Sequence, residues 1–315
     1  MRLGFSIPLL NHDVRETCEL ARLAETLGYS DAWAAETSGP DAFSVASAVG
    51  VSTTTLRIGI AIAPVYTRPP ALIAMSALAA QQACAGRFVL GLGASSEVIV
   101  SQWMDERYER PVLRVRETVE AVRQALAGEK VRYDGETVAV RGFKLDQPPS
   151  MPVPIYLAAL GPRMLALARE MADGVALFLA SEEGVRIAAR AAPGKEIVER
   201  IVCVPNEPED EVRGTFRWLF APYLAVPGYN RFVAAQGFEA EAEGVRTAWA
   251  SGDRKGALDA VSDRLVDAML ISGPADRCKE RLESFRAAGL STPILFFLSS
   301  RGPEAIVEGV RAMAP

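Results

Sequence analysis

The chain has 315 residues, half of them hydrophobic, with 34 Lys and Arg against 39 Asp and Glu for a formal net charge of −5. That length suits one large α/β barrel as well as two average domains, the apolar fraction can fill a large core, and an acidic balance with no lysine-rich run argues against nucleic acid as a partner. Four scattered cysteines without a Cys-x-x-Cys pair and a single histidine point to neither a zinc site nor a disulfide framework, and no uncharged run nears the ~18 residues of a membrane span, so a cytoplasmic protein without a metal is expected.

Residues 3–7 form a short apolar run closed by Pro8, the pattern of a buried strand. Asp13 and Glu16 then stand at capping-box spacing, and Val14, Cys18, Ala21, Ala24 and Leu27 recur at helical intervals up to Gly28. The strand–helix unit repeats with 31–35 and 43–51, then with 57–63 and 71–84. A fourth strand, 88–90, runs into Gly91, Gly93 and a small-residue tail to Ser96, where a ligand can approach the backbone closely. Its helix carries Val112, Val115, Val119, Val122 and Leu126.

Residues 129–143, centred on Asp134-Gly135, read as an appended β-hairpin. The alternation resumes with strand 153–158 and helix 162–172, then strand 174–180 with a short helix from Glu182, then strand 197–204. A mostly helical insertion at about 207–270 precedes a helix at 274–288 and an eighth strand at 293–298. Eight strands in alternation with helices imply parallel strands and right-handed crossovers, hence an α/β fold of the (β/α)₈ TIM-barrel type with the insertion between strands seven and eight, residues 1–315 forming one domain.

In such a barrel the active site lies where strands end and the following loops begin. His12 falls there, although its place before Asp13 fits a solvated loop leading into a cap. Glu36 ends the second strand, either as an acid or base facing the barrel mouth or as a hydrogen-bonding post for neighbouring loops. Glu97 follows the glycine turn, either handling a proton or capping the helical turn that starts there. Ala159, Leu160, Gly161, Pro162, Arg163 and Met164 make a strand-to-helix turn whose exposed N–H groups and positive helix end suit a phosphate, with Arg163 adding charge; an ordinary βα turn has the same outline. Trp103, Met104 and Tyr108 form either a wall over a flat ligand or local packing. No Gly-x-Ser-x-Gly, Gly-x-x-x-x-Gly-Lys or His-Glu-x-x-His motif occurs, which counts against serine hydrolysis, P-loop chemistry and zinc proteolysis.

In order and spacing, three segments resemble the bacterial luciferase-like superfamily, in particular its coenzyme F420-dependent branch of methylenetetrahydromethanopterin reductase-like proteins. They are Leu-Gly-Tyr-Ser-Asp-Ala-Trp-Ala-Ala-Glu ending at Glu36, Leu-Arg-Ile-Gly-Ile-Ala-Ile-Ala-Pro ending at Pro64 with Arg68-Pro69-Pro70, and Gly-Arg-Phe-Val-Leu-Gly-Leu-Gly ending at Gly93. Glu109-Arg110-Pro111 and Ala172-Asp173-Gly174 extend the likeness, and the insertion shows none. The resemblance implies a TIM barrel that binds F420, with FMN as the alternative, and moves a hydride to or from a small organic substrate. It also implies a bulge of strand three at Ala61, Ile62, Ala63 and Pro64 backing the ring, Gly93 shaping the space beside it, the tail phosphate at 159–164, Arg68 or Arg163 accepting an acidic tail, and a homodimer. Where sugar-phosphate and alcohol dehydrogenases of the family place a catalytic histidine after strand two, this chain has Thr37, which leaves Glu36, Glu97 and Ser6 as proton-handling or substrate-polarising candidates. An FMN-dependent monooxygenase, a non-catalytic cofactor-binding protein and a redox-free lyase or isomerase using Glu36 and Glu97 are the competing readings.

Overall fold

A computed structural model describes residues 2–8 and 12–315. Eight parallel strands close into a barrel: β1 (Gly4–Ile7), β2 (Asp31–Ala34), β3 (Arg57–Ile60), β5 (Phe88–Gly93), β8 (Ile155–Ala158), β9 (Gly174–Phe178), β10 (Glu196–Pro205) and β12 (Thr292–Phe297), the last pairing back onto β1. Helices wrap the outside, beginning with α1 (Val14–Thr26), α2 (Ala42–Ser52) and α3 (Pro70–Ala83). The capping box is formed: the Asp13 carboxylate accepts from Arg15 N at 2.8 Å and Glu16 N at 2.9 Å, while Asp13 N donates to Glu16 Oε2 at 2.7 Å. Antiparallel β6 (Val131–Asp134) and β7 (Ala139–Phe143) form the expected hairpin. Among the described residues, no helix is long and apolar enough to cross a membrane.

Three local differences separate the structure from the sequence reading. The run 57–63 is divided into β3 and β4 (Ala63–Pro64), with a cis peptide bond at Ala61–Ile62 between them. Gly59 pairs with Val89 and Ala63 with Leu92, so four steps on one side face three on the other, a one-residue bulge. Second, the turn expected at Glu97 is π-helical, spanning Val98–Trp103. Third, the insertion comprises α7 (Glu209–Leu224), α8 (Pro227–Ala234), α9 (Glu239–Ala250), α10 (Arg254–Asp259) and α11 (Asp263–Met269), and it ends in an additional strand, β11 (Leu270–Gly273), paired with residues 202–205 of β10. Four residues flanked by helices carry too short a pattern to read as a strand.

The barrel interior is layered. At the bottom, Arg57 is bound by the buried Asp31 on one side and by Glu196 on the other, with Nη1–Oε2 at 2.9 Å and Nη2–Oε1 at 2.6 Å, while Thr292 Oγ1 donates to Glu196 at 2.9 Å. Burial alone would raise the Glu196 pKa, but hydrogen bonds from Arg57 and Tyr156 and the Arg57 charge hold it down at about 2. Above this plug lies an apolar layer of Trp33, Val89, Tyr156, Ala176, Val198 and Ile294. A closed polar floor under an apolar layer leaves the opposite, C-terminal end of the barrel as the open one.

Candidate functional site

The open end holds a cleft of about 580 Å³, within the range of small-molecule sites. Its floor is made by strand ends, including Ala61, Ile62, Ala158 and Ala176, and its roof by Tyr223 of α7, Tyr229 of α8 and Trp249 of α9. The barrel and the insertion therefore supply opposite walls.

The wall formed by β3, β5 and β8 is poor in side chains. Gly91 lies against the bulge so closely that a Cβ there would sit 1.8 Å from the Ile60 carbonyl oxygen, and a Cβ on Gly93 would sit 2.9 Å from Ala158 Cβ and 3.1 Å from Ile62 Cγ1. Glycine is required at both by close approach. Ala63 and Pro64 are buried and pair with Leu92 and Gly93, carrying the bulge from behind. The result is a flat surface of backbone and methyl groups.

The turn after β8 continues this wall. Ala159 is buried, with its N–H donating to Ala176 O at 3.3 Å, and Leu160 lines the cleft. Gly161 is the N-cap of α5 (Pro162–Met171), exposed, with open space where a side chain would stand. The N–H groups of Arg163 and Met164 have no partner within a helix that begins at Pro162. Arg163 is exposed and forms no salt bridge with the described residues. These groups can receive an anion at a positive helix end.

Glu36 lines the cleft but is engaged, accepting from the Arg68 guanidinium and from Ala42 N at 3.1 Å. Arg68 also lies 3.5 Å from Asp41 and over the Phe43 ring, so the expectation that Arg68 is open to an acidic tail is corrected: two carboxylates already neutralise it. Glu97 is exposed at the cleft and makes no capping hydrogen bond; the turn is held by Ser96, whose oxygens accept from Ile99 N at 3.4 Å and Val100 N at 2.9 Å. Burial, and then the Glu97 charge, push the Tyr108 phenol upward. Tyr108 packs on Tyr66 with ring centroids 5.2 Å apart and donates to Ser95 O, whereas Trp103 lines the cleft and Met104 is exposed. Ser6 is buried beneath the cleft, where its Oγ accepts from Arg200 Nε at 3.0 Å.

Arg200 itself was not singled out in the sequence, nor were Phe178, Tyr223 and Tyr229, which line the cleft with it. Its guanidinium stacks on Phe296, 3.7 Å from the ring centroid, and on Phe178 at 5.4 Å. Burial presses its pKa down to about 10, which still leaves it cationic at neutral pH. Glu199, the next residue back, faces the opposite side of β10; its Oε1 accepts from Ala180 N at 3.0 Å and burial pushes its carboxyl well above the usual range. Charged residues 199 and 200 inside the otherwise apolar run 197–204 were the available signal.

The family model described as luciferase-like monooxygenase matches residues 1–292. The chain is 28% identical over 287 residues to the 5,10-methylenetetrahydromethanopterin reductase of Archaeoglobus fulgidus, covering 86% of each chain. It is 26% identical over 333 aligned positions to a putative coenzyme F420-dependent oxidoreductase of Mycobacterium tuberculosis, covering 94% of each. Among solved structures, the coenzyme F420-dependent tetrahydromethanopterin reductase from Methanopyrus kandleri superposes with a TM-score of 0.79 at 21% identity, over 100% of this chain and 98% of that one.

Proposed function

The chain belongs to the luciferase-like monooxygenase family, and from that premise we propose that it is an oxidoreductase that binds coenzyme F420 and transfers a hydride between it and a small organic substrate. The observation that carries this reading is the low wall of Ala61, Ile62 and Ala158 at the bulge, backed by Gly93 so closely that an added Cβ there would push on Ala158 and Ile62, a surface that suits a flat ring. When bound there, F420 supplies a two-electron hydride carrier on a flavin-shaped ring. A relative named as a putative F420-dependent oxidoreductase, 26% identical over 94% of the chain, and an F420-dependent glucose-6-phosphate dehydrogenase of Mycolicibacterium fortuitum, 29% identical over 72% of it, favour F420 over FMN.

In this reading Ala61, Ile62, Ala63 and Pro64 back the ring, Gly93 keeps its edge clear, and Leu160 meets its side. The N–H groups of Arg163 and Met164, with Gly161 and Pro162 shaping the turn behind the buried Ala159, hold the tail phosphate, and Arg163 faces the acidic tail. Glu97, exposed at the cleft and unengaged in a cap, takes the proton-handling role. Glu36 fixes the Arg68 side chain and the start of α2, and Ser6 holds Arg200 in place. The protein works in the cytoplasm as a homodimer, a reading supported by the exposed Val51, Leu72 and Met75 on neighbouring α2 and α3 and checked by its elution volume.

Titration of the purified protein with F420 and with FMN, followed by ring fluorescence, tests the proposal. Saturable binding of F420 and turnover of its reduced form with a panel of enones and imines are expected. Binding of neither ring overturns the reading, and binding without turnover of any panel member makes the protein a cofactor carrier.

A further inference from the structure

Glu36, Glu97 and Arg200 are the charged residues lining the cleft, and they differ in what satisfies them. Glu36 is bound to Arg68, and Glu97 stands at an exposed position in contact with water. Arg200 is enclosed by aromatic rings and has no carboxylate partner among the described residues. Among the described residues its one hydrogen bond runs from Nε to Ser6 Oγ, and neither Nη1 nor Nη2 meets an acceptor there. Three other half-buried arginines of the barrel are served at their terminal nitrogens: Arg57 by Glu196, Arg68 by Glu36, and Arg87 by the carbonyls of Leu56, Gly50 and Thr53. Arg200 is half-buried, and a guanidinium held in place with its Nη donors open to a ligand cleft and no anion beside it is matched to an anion that arrives with the ligand.

The surroundings narrow the class. The remaining Nη donors form a planar fork, the geometry that pairs with both oxygens of a carboxylate. Phe178 and Phe296 hold the plane of the fork, and Ser6 fixes its rotation through Nε. Beyond the fork the walls are Val226, Pro227 and Trp249, apolar surface for the body of a ligand. One cation among aromatic walls suits a singly charged carboxylate better than a phosphate dianion, which needs several donors.

We propose that Arg200 is the anchor of the substrate subsite and that the substrate is an apolar, planar carboxylic acid, its carboxylate paired with the two free guanidinium nitrogens and its body lying under Tyr223, Tyr229 and Trp249. This rests on the reading of the opposite wall as the F420 site, because it assigns Arg200 to the substrate rather than to the ring. Tyr223 and Tyr229, 5.4 Å apart edge to face, close the roof over the fork.

The test uses calorimetric titration of the full chain with naphthoate and with its uncharged isostere naphthamide, on wild type, Arg200→Gln and Arg200→Lys, alongside F420 fluorescence titration of each. Wild type is expected to prefer the acid by about tenfold or more, a difference that Arg200→Gln removes and Arg200→Lys keeps in part, since a point charge lacks the fork. F420 affinity is expected to stay within about twofold in all three, showing that the variants are folded and that Arg200 does not serve the ring. No naphthoate binding to wild type, equal binding of acid and amide, or a loss of F420 affinity in Arg200→Gln as large as the loss of naphthoate overturns the proposal. Persistence of the acid preference in a protein that binds no F420 upholds the anchor and overturns only the cofactor assignment.

Discussion

The two walls of the cleft are built by opposite means. On the β3–β5–β8 side the surface is low: Ala61, Ile62 and Ala158 line the cleft, and behind them Gly91 and Gly93 approach their neighbours so closely that an added Cβ collides with Ile60, Ala158 or Ile62. On the β9–β10 side and in the insertion, the surface is made by large groups, with Phe178, Arg200, Tyr223, Tyr229 and Trp249 filling space and placing one charge in it. A wall without side chains fits one flat shape and is intolerant of change, whereas a wall of side chains can be altered residue by residue to choose among ligands. That division suits a fixed cofactor on one side and a variable substrate on the other.

The comparison is broken most severely by Gly91→Ala. With its Cβ only 1.8 Å from the Ile60 oxygen, the variant must displace the bulge, and a loss of about 3 kcal/mol or more of stability is expected by chemical denaturation. A fully stable Gly91→Ala protein contradicts the close approach that defines this wall.

At the edge of the wall, Glu97→Gln is expected to leave F420 affinity unchanged while slowing turnover about 10²-fold, because the side chain makes no cap whose loss would be felt structurally. Unaltered single-turnover rates would return Glu97 to a bystander. Beneath both walls, Glu196→Gln is expected to cost about 2 kcal/mol at neutral pH without affecting either ligand, since it weakens only the Arg57 plug. The sign follows from the lowered carboxyl: its contribution is complete above pH 4.5 and lost as pH falls toward 2, so melting temperature measured across that interval should fall less steeply in the variant. The smallest effect belongs to Arg163→Ala, expected to weaken F420 binding about threefold in low salt and less as salt screens the exposed charge. An unchanged salt dependence would remove Arg163 from the tail site.

Legibility in the sequence divided along the same line. The eight strands and their helices could be read because a parallel strand buried on both faces leaves an uninterrupted apolar run, and each helix leaves its own period. Gly91 and Gly93 stood out as glycines at a strand end, and the bulge at 61–64 was reached through family resemblance, whereas local pattern alone made 57–63 one continuous strand. The aromatic wall was missed for a physical reason. Arg200 meets Ser6 from 194 residues away and Phe296 on the adjacent strand β12, so its environment exists only after β10, β12 and β1 have paired. Arg68 was misread as available for the same reason, its partner Glu36 lying 32 residues earlier on a different strand end. The insertion helices were legible as helices, but which of their faces would roof the cleft was not, because that depends on how α7, α8 and α9 pack on the barrel.

The most direct test of the division between the two walls is a paired fluorescence titration of F420 against wild type and Gly93→Val, with thermal melting recorded for both. The account predicts saturable binding to wild type and loss of at least about 10²-fold in affinity for a Gly93→Val protein that still melts cooperatively, because the added side chain pushes on Ala158 and Ile62, which form the wall proposed to back the ring. A folded Gly93→Val protein that binds F420 as tightly as wild type would contradict it.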